Sequence, residues 1–271
     1  MSDTAITPVT TPATTPAALR PSSPLGDLGV MVRRATTLTL RNGDALLTSL
    51  AQPIMLMLLF VYLFGGAIET GTEYVTYVVP GVIMLCASFG ASLTAVAVTN
   101  DMTGGIMDRF RSMDVRGASV LGGHVAASTA RNLVSTVLVL GVAFLIGFRP
   151  SASFADWLAA AGVLLAAVTA LSWASAAVGL LAKTPEAASG FTFFVMFLPY
   201  PSSAFVPVET MPSWIHGFAD NQPFTPMIES LRGFLLGTPV GDSAWVALAW
   251  CAGILAVSVA VSGALFRRRT A

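Results

Sequence analysis

The sequence predicts an all-α integral membrane protein with six transmembrane helices, and three observations support this fold class. Of the 271 residues, 55% are hydrophobic and only 10% are charged, and the mean hydropathy is +0.76. Six apolar segments each approach the roughly 20 residues that a spanning helix needs. Helices of this length satisfy every backbone polar group within lipid. The segments lie near residues 46–66, 76–99, 126–147, 158–182, 187–206 and 243–266.

The chain before the first span divides into two parts. Residues 1–24 are rich in Thr, Pro, Ala and Ser and have no apolar core, so they are expected to form a disordered tail and not a signal peptide. Residues 25–271 then form one transmembrane domain. It begins with an amphipathic helix over 25–43, which we expect to lie as an elbow on an anionic membrane face, with Arg33, Arg34 and Arg41 opposite an apolar stripe of Leu28, Met31, Val32, Ala35 and Leu38.

The distribution of basic residues predicts the topology. Of the fourteen bases, eleven lie on the side of the two termini and two, Arg149 and Arg232, on the other side. Arg131 is assigned to the inner end of the third span, which leaves the span cores without ionisable side chains. By the positive-inside rule, the protein is a multi-pass component of the cell membrane with both termini in the cytoplasm, and the bacterial inner membrane is expected.

A charged island lies between the second and third spans, at residues 100–131. It stands out because residues 74–100 and 132–148 contain no Asp, Glu, Lys or Arg. Helical spacing puts four apolar residues on one face and most of the charges on the other. Periodicity alone allows an amphipathic connector in the headgroups or a helix that docks on a protein. The stripe is Met102, Ile106, Phe110 and Met113, and the charges include Asp108, Arg109 and Arg111.

The segment before the last span predicts a helical hairpin. Pro199 and Pro201 should interrupt the outer part of the fifth span, because each removes a backbone donor. Residues 206–241 are too polar to span and too apolar for a free loop. Proline near the start of two short helices and a stop at Gly237 predict a hairpin that dips into the outer leaflet. Glu229 and Arg232, three residues apart on its second helix, can form an ion pair.

The sequence contains no constellation typical of catalysis. Its two histidines, His124 and His216, fall on opposite sides of the predicted membrane, which disfavours a metal site or a catalytic triad. The cysteines Cys86 and Cys251 are expected to be buried and free. No metal or cofactor is predicted for this chain, and balanced charge gives no case for nucleic acid. Active transport would therefore need energy from another polypeptide.

Two stretches carry a resemblance to a known family. GGIMDRFRSMDVRGASVLGGHVAASTAR, within the island, and SSAFVPVETMPSWIHGFADNQPFTPMIESLRGFLLG, before the last span, resemble the membrane subunits of ABC-2 type exporters. The similarity is closest to the daunorubicin/doxorubicin-resistance permease family and runs from about Leu25 to the C-terminus. It implies an elbow helix, a cytoplasmic coupling helix and an external re-entrant hairpin.

The resemblance also implies partners and a function. Two six-helix permease subunits, identical or paralogous, would assemble in the lipid bilayer with a dimer of ABC ATPase subunits that bind ATP and Mg²⁺, so the chain itself is not an enzyme. The expected activity is export of an amphipathic or hydrophobic small molecule. Export of a lipid-linked glycan or envelope lipid, or a non-transporting assembly or sensor role, are the alternatives.

Three sets of residues follow as site predictions. The ATPase-coupling set is Met102, Ile106, Asp108, Arg109, Phe110, Arg111 and Met113, and the external gate is Glu229 with Arg232. The third set lines the substrate path, since adaptable methionines and aromatic faces suit loosely specified apolar cargo. It comprises Met55, Met57 and Phe60 of the first span and Phe191, Phe194, Met196 and Phe197 of the fifth.

Overall fold

A computed structural model describes residues 43–68, 70–104 and 117–270. The predicted elbow helix and most of the predicted coupling set lie outside these ranges, namely Ile106, Asp108, Arg109, Phe110, Arg111 and Met113. In the described part of the chain all regular structure is helical. Eight α-helices follow one another: α1 Gly43–Leu59, α2 Tyr74–Thr103, α3 Gly117–Leu145, α4 Phe154–Leu181, α5 Pro185–Phe197, α6 Ser213–Asn221, α7 Phe224–Leu236 and α8 Ser243–Thr270.

Four of these helices are long and apolar enough to cross a membrane. They are α2, α3, α4 and α8. The α1 helix continues as a π-helix over Phe60–Phe64, and its apolar part, Ala51–Phe64, is shorter. The α5 helix has 13 residues and covers only part of the fifth predicted span. An all-helical membrane protein is thus confirmed, while the number of six spans stays a prediction.

Local sequence explains where the helices begin and end. Ser153 caps α4, since its hydroxyl accepts from the backbone N–H of Asp156 while the Asp156 carboxylate accepts from the backbone N–H of Ser153. Thr184 caps α5, which has Pro185 in its first turn. The α5 helix ends at Phe197, two residues before Pro199. Pro199 and Pro201 were predicted to interrupt the fifth span, and the helix indeed ends just before them.

The predicted pair of short helices is present. The first, α6, starts directly after Pro212, and the second, α7, has Pro226 in its first turn. Gly237 ends α7 with φ of 64°, in the left-handed region where glycine avoids the steric penalty of a Cβ. The two helices form a hairpin that we call the hairpin α6–α7, and the end of the bundle where it lies is called the hairpin end.

The α2 helix is the centre of the bundle. It packs against α1, α3, α4, α5 and α7, and most of its residues are buried. At Gly81 the turn after α5 comes so near that a Cβ would lie 2.4 Å from the carbonyl oxygen of Ala204. Glycine at this position therefore allows the backbone of that turn to rest on α2. The large buried side chains of α7, Met227, Ile228 and Leu231, join the same core.

Candidate functional site at the hairpin end

Arg232 makes several of the polar contacts that join the hairpin α6–α7 to the rest of the bundle. Arg232 lies on α7 and its side chain is only 10% exposed. Its Nη1 donates to the carboxylate of Glu229, and its Nη2 donates to the carbonyl oxygen of Ser203 at 2.6 Å. Its Nε and Nη2 both lie 3.3 Å from the carbonyl oxygen of Tyr77. The guanidinium carbon is 3.8 Å from the centre of the Tyr77 ring, which adds a cation–π contact.

Two tyrosines at the start of α2 donate hydrogen bonds to the turn at residues 203–205, to which Arg232 also binds. The hydroxyl of Tyr77 donates to the carbonyl oxygen of Ser203 at 3.0 Å, and that of Tyr74 donates to the carbonyl oxygen of Phe205 at 2.9 Å. The Phe205 ring stacks on Phe60 of the first span with 4.3 Å between ring centres. We call Arg232, Glu229, Tyr77, Tyr74 and the residue 203–205 turn the hairpin clamp. It ties together α1, α2, α7 and the chain after α5.

A cavity of about 450 Å³ lies beside this clamp. Its volume is in the range of sites for drug-sized molecules. Most of the lining residues have a polar or charged side chain, although apolar atoms form the larger share of the wall, and Arg232 is the one basic residue of the lining. The lining residues are Thr70, Thr72, Tyr77, Ser203, Pro207, Val208, Glu209, Asp220, Thr225, Glu229, Arg232, Leu236 and Thr238.

A hydrogen-bonded side-chain pair joins α2 and α3 at the opposite end of the bundle. His124 Nε2 lies 2.9 Å from the Asp101 carboxylate, and both side chains are partly exposed. The pair connects the end of α2 to the start of α3, on either side of residues 105–116. Met102, from the predicted coupling set, packs against a small apolar cluster that includes Val98 and Leu121. His124 thus has a specific partner in Asp101.

The comparison with known proteins gives the family. A model of the ABC-2 type transporter family matches residues 27–236. The chain belongs to the ABC-2 type transporter family. It is 30% identical, over 81% of this chain and 78% of the relative, to the daunorubicin resistance ABC transporter permease protein DrrB1 of Streptomyces coeruleorubidus. Two relatives in Mycobacterium tuberculosis are 25% identical: the probable doxorubicin resistance ABC transporter permease protein DrrC, over 88% of this chain and 87% of the relative, and DrrB, over 75% and 73%.

These matches confirm the resemblance to drug-resistance permeases. They identify the chain as a permease subunit of an ABC transporter, a class of subunit that is not itself catalytic. The described part of this ABC-2 permease contains no group of three or more His, Cys, Asp or Glu side chains that could hold a metal. Cys86 and Cys251 are both free and buried.

The predicted path residues of this permease do not share one environment. Met57 is fully buried in the core, whereas Met55 is 69% and Phe194 63% exposed. Phe60 and Phe191 are partly buried, and Phe197 is exposed. Met196 accepts a hydrogen bond from Gln52 Nε2 at 2.9 Å, which brings α5 next to α1.

One arginine packs inside the bundle and not at its end. Arg131 lies near the middle of α3, inside the candidate span Val120–Leu145, and its Nη2 donates to the carbonyl oxygen of Gly90, near the middle of α2, at 2.9 Å. Arg131 was predicted at the inner end of the third span; the structure places it near the middle of the helix α3, against α2. The buried Nε of Arg131 has no hydrogen-bond partner in the described part of the chain. The sequence contained one signal for this position, because Arg131 is far along the chain from the charged segments on both sides.

Proposed function

We propose that this chain is the transmembrane permease subunit of an ATP-driven exporter that moves an amphipathic or hydrophobic small molecule, such as a drug, antibiotic or lipid, out of the cell. The observation that carries the proposal is the match to DrrB1, named a daunorubicin resistance permease, along most of both chains. The matches to two doxorubicin resistance permeases support the same function.

The motor is proposed to reside in separate ABC ATPase subunits that bind ATP and Mg²⁺. A second permease subunit, a copy of this chain or a paralogue, would complete the transporter in the bilayer. The family match supports both partners, because ABC transporters work as assemblies of permease and ATPase units. The same proposal includes six spans, an elbow helix, a re-entrant hairpin and cytoplasmic termini in a bacterial inner membrane. The excess of basic residues on the side of the two termini supports their cytoplasmic location.

Coupling to the motor is assigned to the island between α2 and α3. Phe110 with Ile106 and Met113 would insert into an apolar groove of the ATPase, while Arg109 and Arg111 set orientation at the rim. Buried aromatics dominate protein interfaces, where truncation can cost roughly 2 kcal/mol or more. The Asp101–His124 pair supports this assignment, because it ties α2 to α3 on either side of residues 105–116 of the island.

Copurification with the ATPase tests this assignment. Phe110→Ala should abolish binding of the ATPase and transport, while the permease stays in the membrane. Arg109→Ala is the matched rim control and should bind more weakly than wild type mainly at low salt, with the difference shrinking at high salt because salt screens the wild-type rim charge. A Phe110→Ala variant that binds the ATPase normally would refute the docking role and leave an interfacial connector.

Transport itself is tested with the permease and its ATPase in liposomes. An amphipathic drug should stimulate ATP hydrolysis and be moved across the membrane. Stimulation by lipid-linked glycan or envelope lipid alone would change the cargo class. No stimulation by either, with the complex intact, would favour a non-transporting assembly or sensor protein.

The gate role of Glu229 and Arg232 is part of the same proposal. Their ion pair is present at the hairpin end, in the clamp that joins α7 to α2. Opening a passage between these elements would require the Arg232 contacts to separate. The clamp is therefore proposed to close the external side between transport cycles.

A further inference from the structure

The buried face of α3 is polar at its middle. Ser128, Asn132 and Thr136 follow one another at steps of four, so they share one face of the helix, and all three are buried. The same face is apolar toward the two ends of the helix, where Leu121 and Val139 are buried. Lipid offers no hydrogen bonds to polar groups inside a span, so each of them needs a partner in the protein. The partners of these three side chains therefore decide how firmly the middle of α3 is held.

Only part of this polar set is paired. The Ser128 hydroxyl accepts from the hydroxyl of Ser172 on α4 at 2.9 Å, and the side-chain nitrogen of Asn132 donates to the backbone oxygen of Ser128 at 3.0 Å. In contrast, Asn132 Oδ1 and Thr136 Oγ1 are buried without a hydrogen-bond partner in the described part of the chain. The middle of α3 is thus bonded to α4 and to itself, but its polar groups are not all satisfied.

The contact of α2 with the middle of α3 is centred on Gly90. A Cβ at this position would lie 2.2 Å from Asn132 Oδ1, so glycine allows the two helices to approach this closely. Nη2 of Arg131 donates to the carbonyl oxygen of Gly90 at 2.9 Å, while its Nε is buried without a partner among the described residues. Thr94 lies one turn from Gly90 on the same face of α2, and its buried hydroxyl has no described partner either. We call Gly90, Thr94, Arg131, Asn132 and Thr136 the polar seam.

The contact of α2 with α4 is satisfied by comparison. There the Thr99 hydroxyl lies 2.8 Å from the carbonyl oxygen of Ala95 and 3.0 Å from that of Gly179. Of the seven buried side-chain polar atoms without a partner in the described ranges, four belong to the polar seam. Each unpaired atom destabilises the closed packing, and contact with water would relieve it. The seam with α3, and not the contact with α4, is therefore the place where α2 gains from opening.

We propose that the polar seam opens to water in a second state of the permease, in which its side chains line a hydrated space inside the membrane. Water there would bond to the four atoms that the closed packing leaves unpaired. The Asp101–His124 pair holds α2 and α3 together at the island end, so the opening is a turn of α3 and not its detachment. The opening is an equilibrium of the permease itself and exists without the ATPase. As a step of the transport cycle, driven by the ATPase through the island, it rests on the proposed function.

Opening is measured by thiol labelling of the full chain in nanodiscs of zwitterionic lipid, with Cys86 and Cys251 replaced by alanine. The probe is sulfonatoethyl methanethiosulfonate, an anion that reacts with a thiol only where water reaches it. Thr136→Cys should be labelled about ten-fold faster than the matched control Thr99→Cys, a factor that corresponds to one hydrogen bond of about 1.4 kcal/mol. Thr99 lies near the end of α2, so depth alone would favour the opposite order. Thr94→Cys, on the other side of the seam, should behave like Thr136→Cys and provides a second position.

Removing single hydroxyls distinguishes the two contacts in a second way. Thr136→Val should leave the midpoint of unfolding by SDS unchanged or raise it, because the lost hydroxyl has no described partner. Thr99→Val should lower the midpoint, because its hydroxyl is bonded. In the complex with the ATPase, Thr136→Cys should be labelled several-fold faster after trapping with ATP and vanadate than without nucleotide.

Three outcomes would overturn the proposal. Equal labelling of Thr136→Cys and Thr99→Cys in the permease alone, with both variants intact by size-exclusion chromatography, means that the seam does not open. A loss of stability in Thr136→Val as large as in Thr99→Val means that the Thr136 hydroxyl is paired. Labelling that ATP and vanadate leave unchanged, in a complex that hydrolyses ATP, removes the seam from the transport cycle. A permease that neither binds nor stimulates the ATPase is a failure of the proposed function, which the copurification and liposome assays detect while labelling of the permease alone still decides the opening.

Discussion

Replacing Arg232 by methionine should cost far more stability than removing the charge of its partner Glu229. The Arg232 side chain is 10% exposed, so its contacts are hardly compensated by water once lost. A charge-assisted hydrogen bond contributes roughly 1.5 to 3 kcal/mol, and a partly desolvated cation–π contact about 0.5 to 2 kcal/mol. Because the Glu229 carboxylate is 38% exposed and can rehydrate, we expect a net cost of about 3 kcal/mol for Arg232→Met.

The partner variant Glu229→Gln keeps most of the clamp. The amide oxygen of glutamine can still accept from Nη1, and Arg232 keeps its bonds to the carbonyl oxygens of Tyr77 and Ser203. The pair is more than a third exposed at the carboxylate, so screening reduces its contribution to about 1 kcal/mol or less. The predicted difference in the free energy of unfolding between Arg232→Met and Glu229→Gln is thus about 2 kcal/mol, which is larger than the error of an unfolding titration.

The assay is unfolding of the purified chain by SDS in mixed micelles, followed by tryptophan fluorescence. Arg149→Met is the matched control, because Arg149 also donates to two backbone carbonyl oxygens, at 2.8 and 2.9 Å, but is exposed. It should cost about 1 kcal/mol or less. The reasoning is refuted if Arg232→Met unfolds like wild type, or if Glu229→Gln destabilises as much as Arg232→Met.

Three further predictions concern topology, path and packing. A cysteine at Ser213 should be labelled from outside intact cells by a membrane-impermeant thiol reagent and one at Ser112 should not; equal labelling would contradict cytoplasmic termini. Phe194→Ala should change which compounds are exported while expression and basal ATP hydrolysis stay the same, and unchanged selectivity across the whole set would exclude Phe194 from the path. Gly81→Ala should destabilise the chain by about 2 kcal/mol in the SDS titration, because its Cβ would lie 2.4 Å from the backbone of the turn after α5. The control Gly162→Ala faces open space and should leave the stability unchanged. Similar values for both variants would show that the turn after α5 moves freely.

The long helices and several helix ends could be predicted from the sequence, because the signals for them are local. Apolar length predicted the four long spans, and proline and glycine predicted the ends of α5 and the hairpin helices. These features depend on neighbours within one or two turns of chain. The extent of α1 and α5 was harder to predict, because an apolar run shows where the chain can enter lipid but not where the helix ends. The fifth segment continues as apolar chain to residue 206, although the helix ends at Phe197.

The candidate site could be predicted only in part, for the same reason. The pairing of Glu229 with Arg232 follows from a spacing of three on one helix, and the structure contains it. The other Arg232 contacts join α7 to Tyr77, 155 residues away in sequence, and to the turn at Ser203. No periodicity relates these positions. The cavity at the hairpin end likewise depends on how the loop at residues 70–72, the turn and the hairpin meet.

Arg131 provides a last prediction, because it lies near the middle of α3, a helix long and apolar enough to cross a membrane. A charged side chain within a span is costly and is typical of functional sites. Its guanidinium has one hydrogen bond among the described residues, to the carbonyl oxygen of Gly90, while its buried Nε has none. A charge with so few partners contributes little stability, and replacing buried ionic groups by apolar ones of similar size is often neutral or stabilising. Arg131→Met should therefore unfold within about 1 kcal/mol of wild type in the SDS titration. Drug-stimulated ATP hydrolysis by the reconstituted complex should nevertheless fall at least several-fold, because intramembrane ionisable residues mark transport pathways. A loss of stability of about 3 kcal/mol or more would instead make Arg131 a structural anchor between α2 and α3, and normal stimulation by the variant would remove it from the transport mechanism.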